Sequence, residues 1–239
     1  MSKKLLFCLP YAGGSGSLYY KWSSLLSDSV QLCPIELKGR GRRINEFFYE
    51  DINEAVNDIY YQLAEKIEHH DYAVFGHSMG SRLAYKLYHK VDRMNNRKPT
   101  HIFFSGYGAP NFSNRKDMIH RLPDPMFIQR IIEMGGTPEE FATNKDLQKL
   151  CLPVLRNDFR ILEKDTVLES EQRLDCNISI LSGNRDTLSC EALEGWRQFT
   201  DKQCKLYMFE GNHFFINHHA AEITAIINET LREKEPVKL

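Results

Sequence analysis

Nowhere in the 239 residues is there an apolar run long enough to cross a bilayer as a helix. Charge of one sign is equally scarce. The formal net charge is −1, which leaves no surplus to draw the chain to nucleic acid or to an anionic membrane. The six cysteines (Cys8, Cys33, Cys151, Cys176, Cys190 and Cys204) never fall at C-x-x-C spacing. They are expected to be buried free thiols in a reducing cytoplasm, and no metal site is read from them. Neither G-x-x-x-x-G-K-[ST] nor a clean G-x-G-x-x-G occurs, so no nucleotide cofactor is expected. Repeats, low-complexity tracts and linkers are missing too. Met1-Ser-Lys-Lys4 is basic, but Leu5–Leu9 is too short for a signal-peptide core and Pro10 interrupts it. That stretch reads as a first strand, and the chain as a cytoplasmic monomer.

What the sequence does contain converges on Asp71-Tyr-Ala-Val-Phe-Gly-His-Ser-Met-Gly80. Tyr72–Phe75 is short, apolar and β-prone. Gly76-His-Ser-Met-Gly80 matches G-x-S-x-G. Met79, Leu83, Leu87 and Val91 then recur at helical spacing, widened by Ala84 and Tyr88. Strand, tight turn and helix in succession, with a serine on the turn, form the context of a nucleophile elbow. The flanking glycines let the backbone fold back sharply and let the helix pack close to the strand.

Around this unit the chain alternates. Leu5–Leu9 predicts a strand, followed by the glycine-rich Pro10–Gly16 and a helix from about Ser17. Val30–Ile35 is a second strand. Asp51 opens a long helix with capping-box spacing to Glu54 and a stripe of Ile52, Val56, Ile59, Leu63 and Ile67. Thr100–Ser105, Asn177–Leu181 and Lys205–Phe209 are further strands, and the last helix carries Ile223, Ile226, Ile227 and Leu231. The tail from Glu233 is expected to fray. Between Pro110 and Asp175 the alternation stops and helical sequence takes over: one helix through Phe127, Ile128, Ile131 and Ile132, another started by Thr137-Pro-Glu-Glu140, and more from Lys145 to about Glu169. This is too much helix for a plain crossover. It reads as a lid over the carboxyl edge of the sheet. The expected architecture is α/β: one domain over 1–239, a mostly parallel six- to seven-stranded sheet with helices on both faces, and a helical lid insertion at about 110–175.

Ligands in such sheets bind beyond the carboxyl ends of the strands, and the candidate groups fall at such ends. A serine hydroxyl needs a base, and chain order Ser, Asp, His suits a G-x-S-x-G hydrolase. Ser78 is the expected nucleophile, His213, in Gly211-Asn-His-Phe-Phe215, the base, and Asp186, in Gly183-Asn-Arg-Asp186, the acid. Asp158 and Asp165, placed in lid helices, fit the acid's role less well. His77, inside the elbow, reads as structural. The oxyanion hole is expected from the N–H groups of Met79 and Ala12, with Tyr11 as the alternative to Ala12. Gly39-Arg-Gly-Arg-Arg43 reads either as a solvated loop or, through Arg40, Arg42 or Arg43, as a contact for a phosphate-bearing arm.

These segments together resemble the stand-alone, type II editing thioesterases of nonribosomal peptide and polyketide synthase clusters, members of the α/β-hydrolase superfamily. The likeness rests on Leu9-Pro-Tyr-Ala-Gly-Gly14, Gly39-Arg-Gly-Arg-Arg43, Phe75–Gly80, Leu122-Pro-Asp, Met134-Gly-Gly-Thr-Pro-Glu-Glu140, Leu152–Asp158, Gly183–Asp186 and Gly211–Phe215. Lys38 stands where a proline is usual, and Ser81 where a second glycine is common. The resemblance implies hydrolysis of acyl or aminoacyl thioesters from the phosphopantetheine arm of carrier protein domains, with no cofactor of the enzyme's own. The triad alone serves an oxoester equally well, so a small-molecule serine esterase is the alternative. A non-catalytic binding module on the same shell is the third reading.

Overall fold

The computed structural model describes residues 3–112, 118–137, 139–165 and 173–232. Six strands, β1 (Lys4–Leu9), β2 (Val30–Pro34), β3 (Tyr72–His77), β4 (His101–Ser105), β5 (Asn177–Gly183) and β6 (Cys204–Phe209), form one sheet in the order β2-β1-β3-β4-β5-β6. Every neighbouring pair is parallel. The helices are α1 (Ile52–His69), α2 (Met79–Arg93), α3 (Asp124–Met134), α4 (Lys145–Lys164), α5 (Cys190–Glu194) and α6 (Ala220–Leu231). The chain leaves β1 toward one edge and returns as β3 on its other side. The carboxyl ends of β1 and β3 therefore flank the crevice where such sheets bind ligands.

Both faces of the sheet are covered, which is why its strands read as continuous apolar runs. Leu5, Phe7 and Leu9 of β1 join Val74, Ile102 and Ile178 in a core with α1 and α2. The intervening Leu6 and Cys8 join Phe75, Phe103, Trp22 and α6 on the other side. The whole predicted stripe of α1 is buried. Its N-cap Asp51 accepts the Glu54 N–H at 2.8 Å, while the Glu54 carboxylate takes the N–H of Glu50. Between β4 and β5, α3 and α4 build a third, smaller core from Phe127, Ile128, Ile131 and Leu155.

Three local expectations change. The helix expected from Ser17 is a 3-10 turn, Gly16–Trp22, which buries Tyr19 and Trp22 on one side, the three-residue spacing that suits it. The helix expected at Thr137 is a short 3-10 turn, Glu139–Ala142. Among the thiols Cys8, Cys33 and Cys176 are buried, but Cys190 is exposed at the start of α5. Pro138, the end of the sequence read as helical beyond Asp165, and the tail from residue 233 lie outside the described residues. No helix among the described residues is long and apolar enough to cross a membrane.

His101, at the start of β4, is buried, with Nε2 2.9 Å from the Ser179 hydroxyl. Burial, with nearby Lys205 acting in the same direction, pushes its imidazole down to about 4. An unfolded imidazole titrates at about 6.5. Between these values the unfolded chain binds a proton that the folded chain refuses. Stability should therefore be intact above pH 6.5 and fall by up to ~3 kcal/mol as pH drops toward 4. Urea unfolding across that window should show the loss, and His101→Gln, which retains a donor for Ser179, should flatten it.

Candidate active site

The serine's position is set by close backbone packing. Ser78 has φ 53° and ψ −114°, a left-handed conformation that costs free energy for any residue with a Cβ. Two glycines make it possible. A Cβ on Gly76 would lie 2.2 Å from the Gly80 carbonyl oxygen, and one on Gly80 2.2 Å from that of Leu9. β3, the turn and α2 thus close on each other and onto the end of β1. Ser78 N–H donates to the Ser105 carbonyl at 2.8 Å. Ser81 contributes what a glycine there would not: its hydroxyl donates to the Gly76 carbonyl (2.7 Å) and accepts the Ser105 N–H (3.0 Å).

Asp186 and His213 come from the loops after β5 and β6. The Asp186 side chain is buried, and its Oδ2 accepts from His213 Nδ1–H at 2.9 Å. Its Oδ1 accepts the Thr187 N–H at 2.7 Å. Because a carboxylate only accepts, His213 carries its proton on Nδ1 and offers Nε2 as a lone pair. Gly183 lets the two loops touch, since a Cβ there would meet the Asn212 carbonyl oxygen at 2.4 Å. Beneath His213 lies the ring of His77, 5.2 Å away between centroids, with Nδ1 2.8 Å from the Ser105 hydroxyl. Burial first, and the charge of His213 second, hold the His77 imidazole well below its usual range. It stays neutral beside the other histidine.

After β1, Tyr11 to Gly14 form a turn closed by the Gly14 N–H on the Tyr11 carbonyl at 2.8 Å, with Gly13 at φ 78°. Glycine with positive φ at the third position marks a type II turn. The N–H groups of Ala12 and Met79 donate to no protein acceptor among the described residues. Both residues are where a second and a first oxyanion donor were sought.

Two of the three arginines, Arg40 and Arg43, are placed differently from either sequence reading. Arg40 is 5% exposed and pairs with the fully buried Asp158 of α4, Nη1 to Oδ2 at 2.6 Å and Nη2 to Oδ1 at 2.7 Å. Arg43 is held by Asp58 (2.7 Å) and Glu46 (2.6 Å), and by the Glu36 carbonyl. Only Arg42 of the three is exposed. A buried guanidinium committed to a carboxylate is not free to meet a phosphate. Sequence reasoning weighed Asp158 only as a weaker candidate for the catalytic acid. Its signal was present: Arg40 and Asp158 lie in two of the segments on which the family likeness rests.

Ser78, Asp186 and His213 line one cavity of about 380 Å³, together with Tyr11 and Ala12. Its far side is apolar and comes from the inserted helices: Ile131 and Met134 of α3, Leu155 and Phe159 of α4. Gly135 and Gly136 end α3 against Phe214, close enough that a Cβ on Gly136 would lie 2.4 Å from that ring. Among the described residues no group of side chains could hold a metal ion.

A family model described as a thioesterase domain matches residues 4–231. Gramicidin S biosynthesis protein GrsT of Aneurinibacillus migulanus is 32% identical over 97% of this chain and 90% of its own. Linear gramicidin dehydrogenase LgrE of Brevibacillus parabrevis, so named, is 33% identical over 95% of this chain and 88% of its own. The crystal structure of ClbQ from the colibactin NRPS/PKS pathway superposes with a TM-score of 0.91 at 35% identity, covering 96% of this chain and 97% of that one.

The elbow should be intolerant of a single methyl group. Gly80→Ala places a carbon against the Leu9 carbonyl, which is backbone and has nowhere to move. A loss of about 2–3 kcal/mol is expected, measured by denaturant midpoint, with turnover reduced in whatever protein remains folded.

Proposed function

The chain belongs to the thioesterase family, and from that premise we propose that it is a serine thioesterase which clears acyl or aminoacyl groups from the phosphopantetheine arm of carrier domains in a nonribosomal peptide or polyketide synthase. The observation that carries the reading is the Asp186–His213 hydrogen bond facing the same cavity as the strained Ser78. Relatives named for gramicidin S biosynthesis and for the colibactin pathway support the assignment to such an assembly line. The LgrE name points to hydride transfer, but a dinucleotide cradle needs free N–H groups at its glycine-rich turn. Here the Gly13 N–H is taken by a carboxylate at 2.7 Å.

In this reading Ser78 Oγ attacks the thioester carbonyl as its proton passes to His213 Nε2. Asp186 holds the imidazole in the required tautomer and stabilises its charged form. The new oxyanion is held by the Met79 and Ala12 N–H groups, an effect of about 3–4 kcal/mol per donor in measured cases. His213 then gives the proton to the departing sulfur, the C–S bond breaks, and the thiol leaves. Water, deprotonated by the same histidine, attacks the acyl-serine. The C–Oγ bond breaks, the proton returns to Ser78, and a carboxylic acid is released. The chemistry draws on the protein's own side chains. The chain acts as one hydrolase domain, and its inserted helices serve as a lid that supplies the apolar wall for an acyl chain. Exposed Arg42 is the remaining arginine for a carrier's acidic surface or the arm's phosphate.

Ser78→Ala should fold normally and lose turnover. Asp186→Asn should lower kcat by about 10⁴-fold with little change in KM. Mass spectrometry of acylated carrier domains, compared with kcat/KM for an acyl-CoA and a simple ester, tests the substrate. Faster turnover of the simple ester than of the carrier would replace this reading with a small-molecule esterase.

A further inference from the structure

Four polar groups of the turn after β1 are committed to partners. The Tyr11 carbonyl accepts the Gly14 N–H. The Gly13 N–H donates to Asp158 Oδ2 at 2.7 Å. The Gly14 carbonyl accepts from Arg40 Nη1 at 3.0 Å. In a trans peptide the C=O and N–H point in opposite directions. With the Tyr11 carbonyl aimed into the turn, the Ala12 N–H of the same peptide unit points out of it, and Ala12 lines the cavity. The Ala12–Gly13 peptide is the one that reverses when a type II turn becomes type I. That reversal would swing the Gly13 N–H off Asp158 and bring a carbonyl oxygen to face the carboxylate instead. The reversal would leave the Tyr11–Ala12 peptide and its Ala12 N–H unturned, so what Asp158 gives that N–H is anchorage: it fixes the neighbouring Gly13, and through it the place of the turn, against α4.

The charge at Asp158 needs a reason other than stability, because apolar residues often replace a buried ion pair without loss. A carboxylate gives what they cannot: a strong acceptor for one backbone N–H, with Arg40 neutralising the remainder of its charge. The acceptor sits on α4, outside the sheet. One turn earlier on that helix, Leu155 lines the cavity and lies so near Gly13 that a Cβ there would be 2.4 Å from its Cδ2. Arg160, further along α4, donates to the Tyr49 and Glu50 carbonyls.

We propose that Asp158, paired with Arg40, is a positioning residue that anchors the Tyr11–Gly14 turn where its Ala12 N–H serves the oxyanion hole, so that the hole is complete only while α4 is seated on the sheet. This deepens the reading above and rests on its oxyanion donors. Lifting α4 would remove the acceptor of Gly13 and separate the ion pair in one movement. The wall of the acyl site and the geometry of the oxyanion donor are thus carried by the same helix.

The test compares wild type with Asp158→Asn and with the double variant Arg40→Leu/Asp158→Leu, which removes both charges together. Two probes separate positioning from folding: an alkylboronic acid, which forms a tetrahedral adduct on the serine, and an acyl-pantetheine amide, which binds without reacting. In the folded variants kcat on an acyl-pantetheine thioester and boronate affinity should fall together by about 10- to 100-fold, while amide affinity changes less than about twofold. Wild-type kcat and boronate affinity in a folded variant would overturn the proposal, as would an equal loss for the amide. If neither variant folds, the wild-type Gly13 amide decides the matter. A downfield, exchange-protected resonance supports the bond to Asp158, and rapid exchange removes it. Failure on carrier substrates alone, with boronate behaviour as described, would sink the carrier reading and leave the positioning role intact. A wild-type protein that binds no boronate would overturn both.

Discussion

The constraint on which this structure depends is the contact between backbones where β1, β3 and α2 meet. With the Gly80 α-carbon against the Leu9 carbonyl and Gly76 against the carbonyl of Gly80, the elbow is pressed onto the strand whose following loop carries Ala12. That contact fixes the distance between the two halves of the site before any side chain is considered. Strand order does the rest. Because β1 and β3 are neighbours while the chain between them has gone out to the edge and back, their carboxyl ends open a crevice that no crossover covers. β5 and β6 then deliver a carboxylate and an imidazole to the same edge.

The polar groups at that edge are arranged by desolvation as much as by contact. Three histidine and carboxylate environments lie within a few residues of the strand ends, and each is treated differently. Asp186 is buried but accepts from both the His213 ring and the Thr187 N–H, so its charge is compensated by donors. His77 is buried with a hydroxyl as its partner and is kept neutral. His213 is partly open to the cavity. An imidazole that must gain and lose a proton has to be the one with both a carboxylate behind it and access to solvent or substrate in front. Of the two neighbouring rings only His213 has both.

How much of this was legible in the sequence depended on how local the signal was. Ser78, Asp186 and His213 each directly follow a strand, so a parallel sheet places them on one edge without any knowledge of side-chain contacts. The stripe of α1 and that of α2 are periodic and all buried. The helix expected from Ser17 rests on Tyr20, Leu25 and Leu26 as its apolar residues, but Tyr20 and Leu25 are exposed, and it is Tyr19 and Trp22, three apart on a 3-10 turn, that face the core. Arg40 and Asp158 were the harder case. They are 118 positions apart, and an arginine in a polar loop carries no periodicity to show that it faces inward. Single-site reasoning assigns such residues to solvent by default, and the partner that overrules the default sits in another element altogether.

That pairing also bears on why a helical insertion is seated so firmly over a site that must admit a substrate. A purely apolar contact between α4 and the sheet would be non-directional and would tolerate sliding. The contact at Asp158 is directional: two bonds to one guanidinium and a third to one N–H, each of which fails if the helix shifts by an ångström or two. Such a contact has two states, made or broken, with little between. An insertion held this way positions the turn fully when seated and not at all when raised, and an acyl chain against Leu155 presses on the same helix that carries the carboxylate. The cavity's apolar wall and its hydrogen-bonding floor therefore belong to one mechanical unit, although they come from segments far apart in the chain.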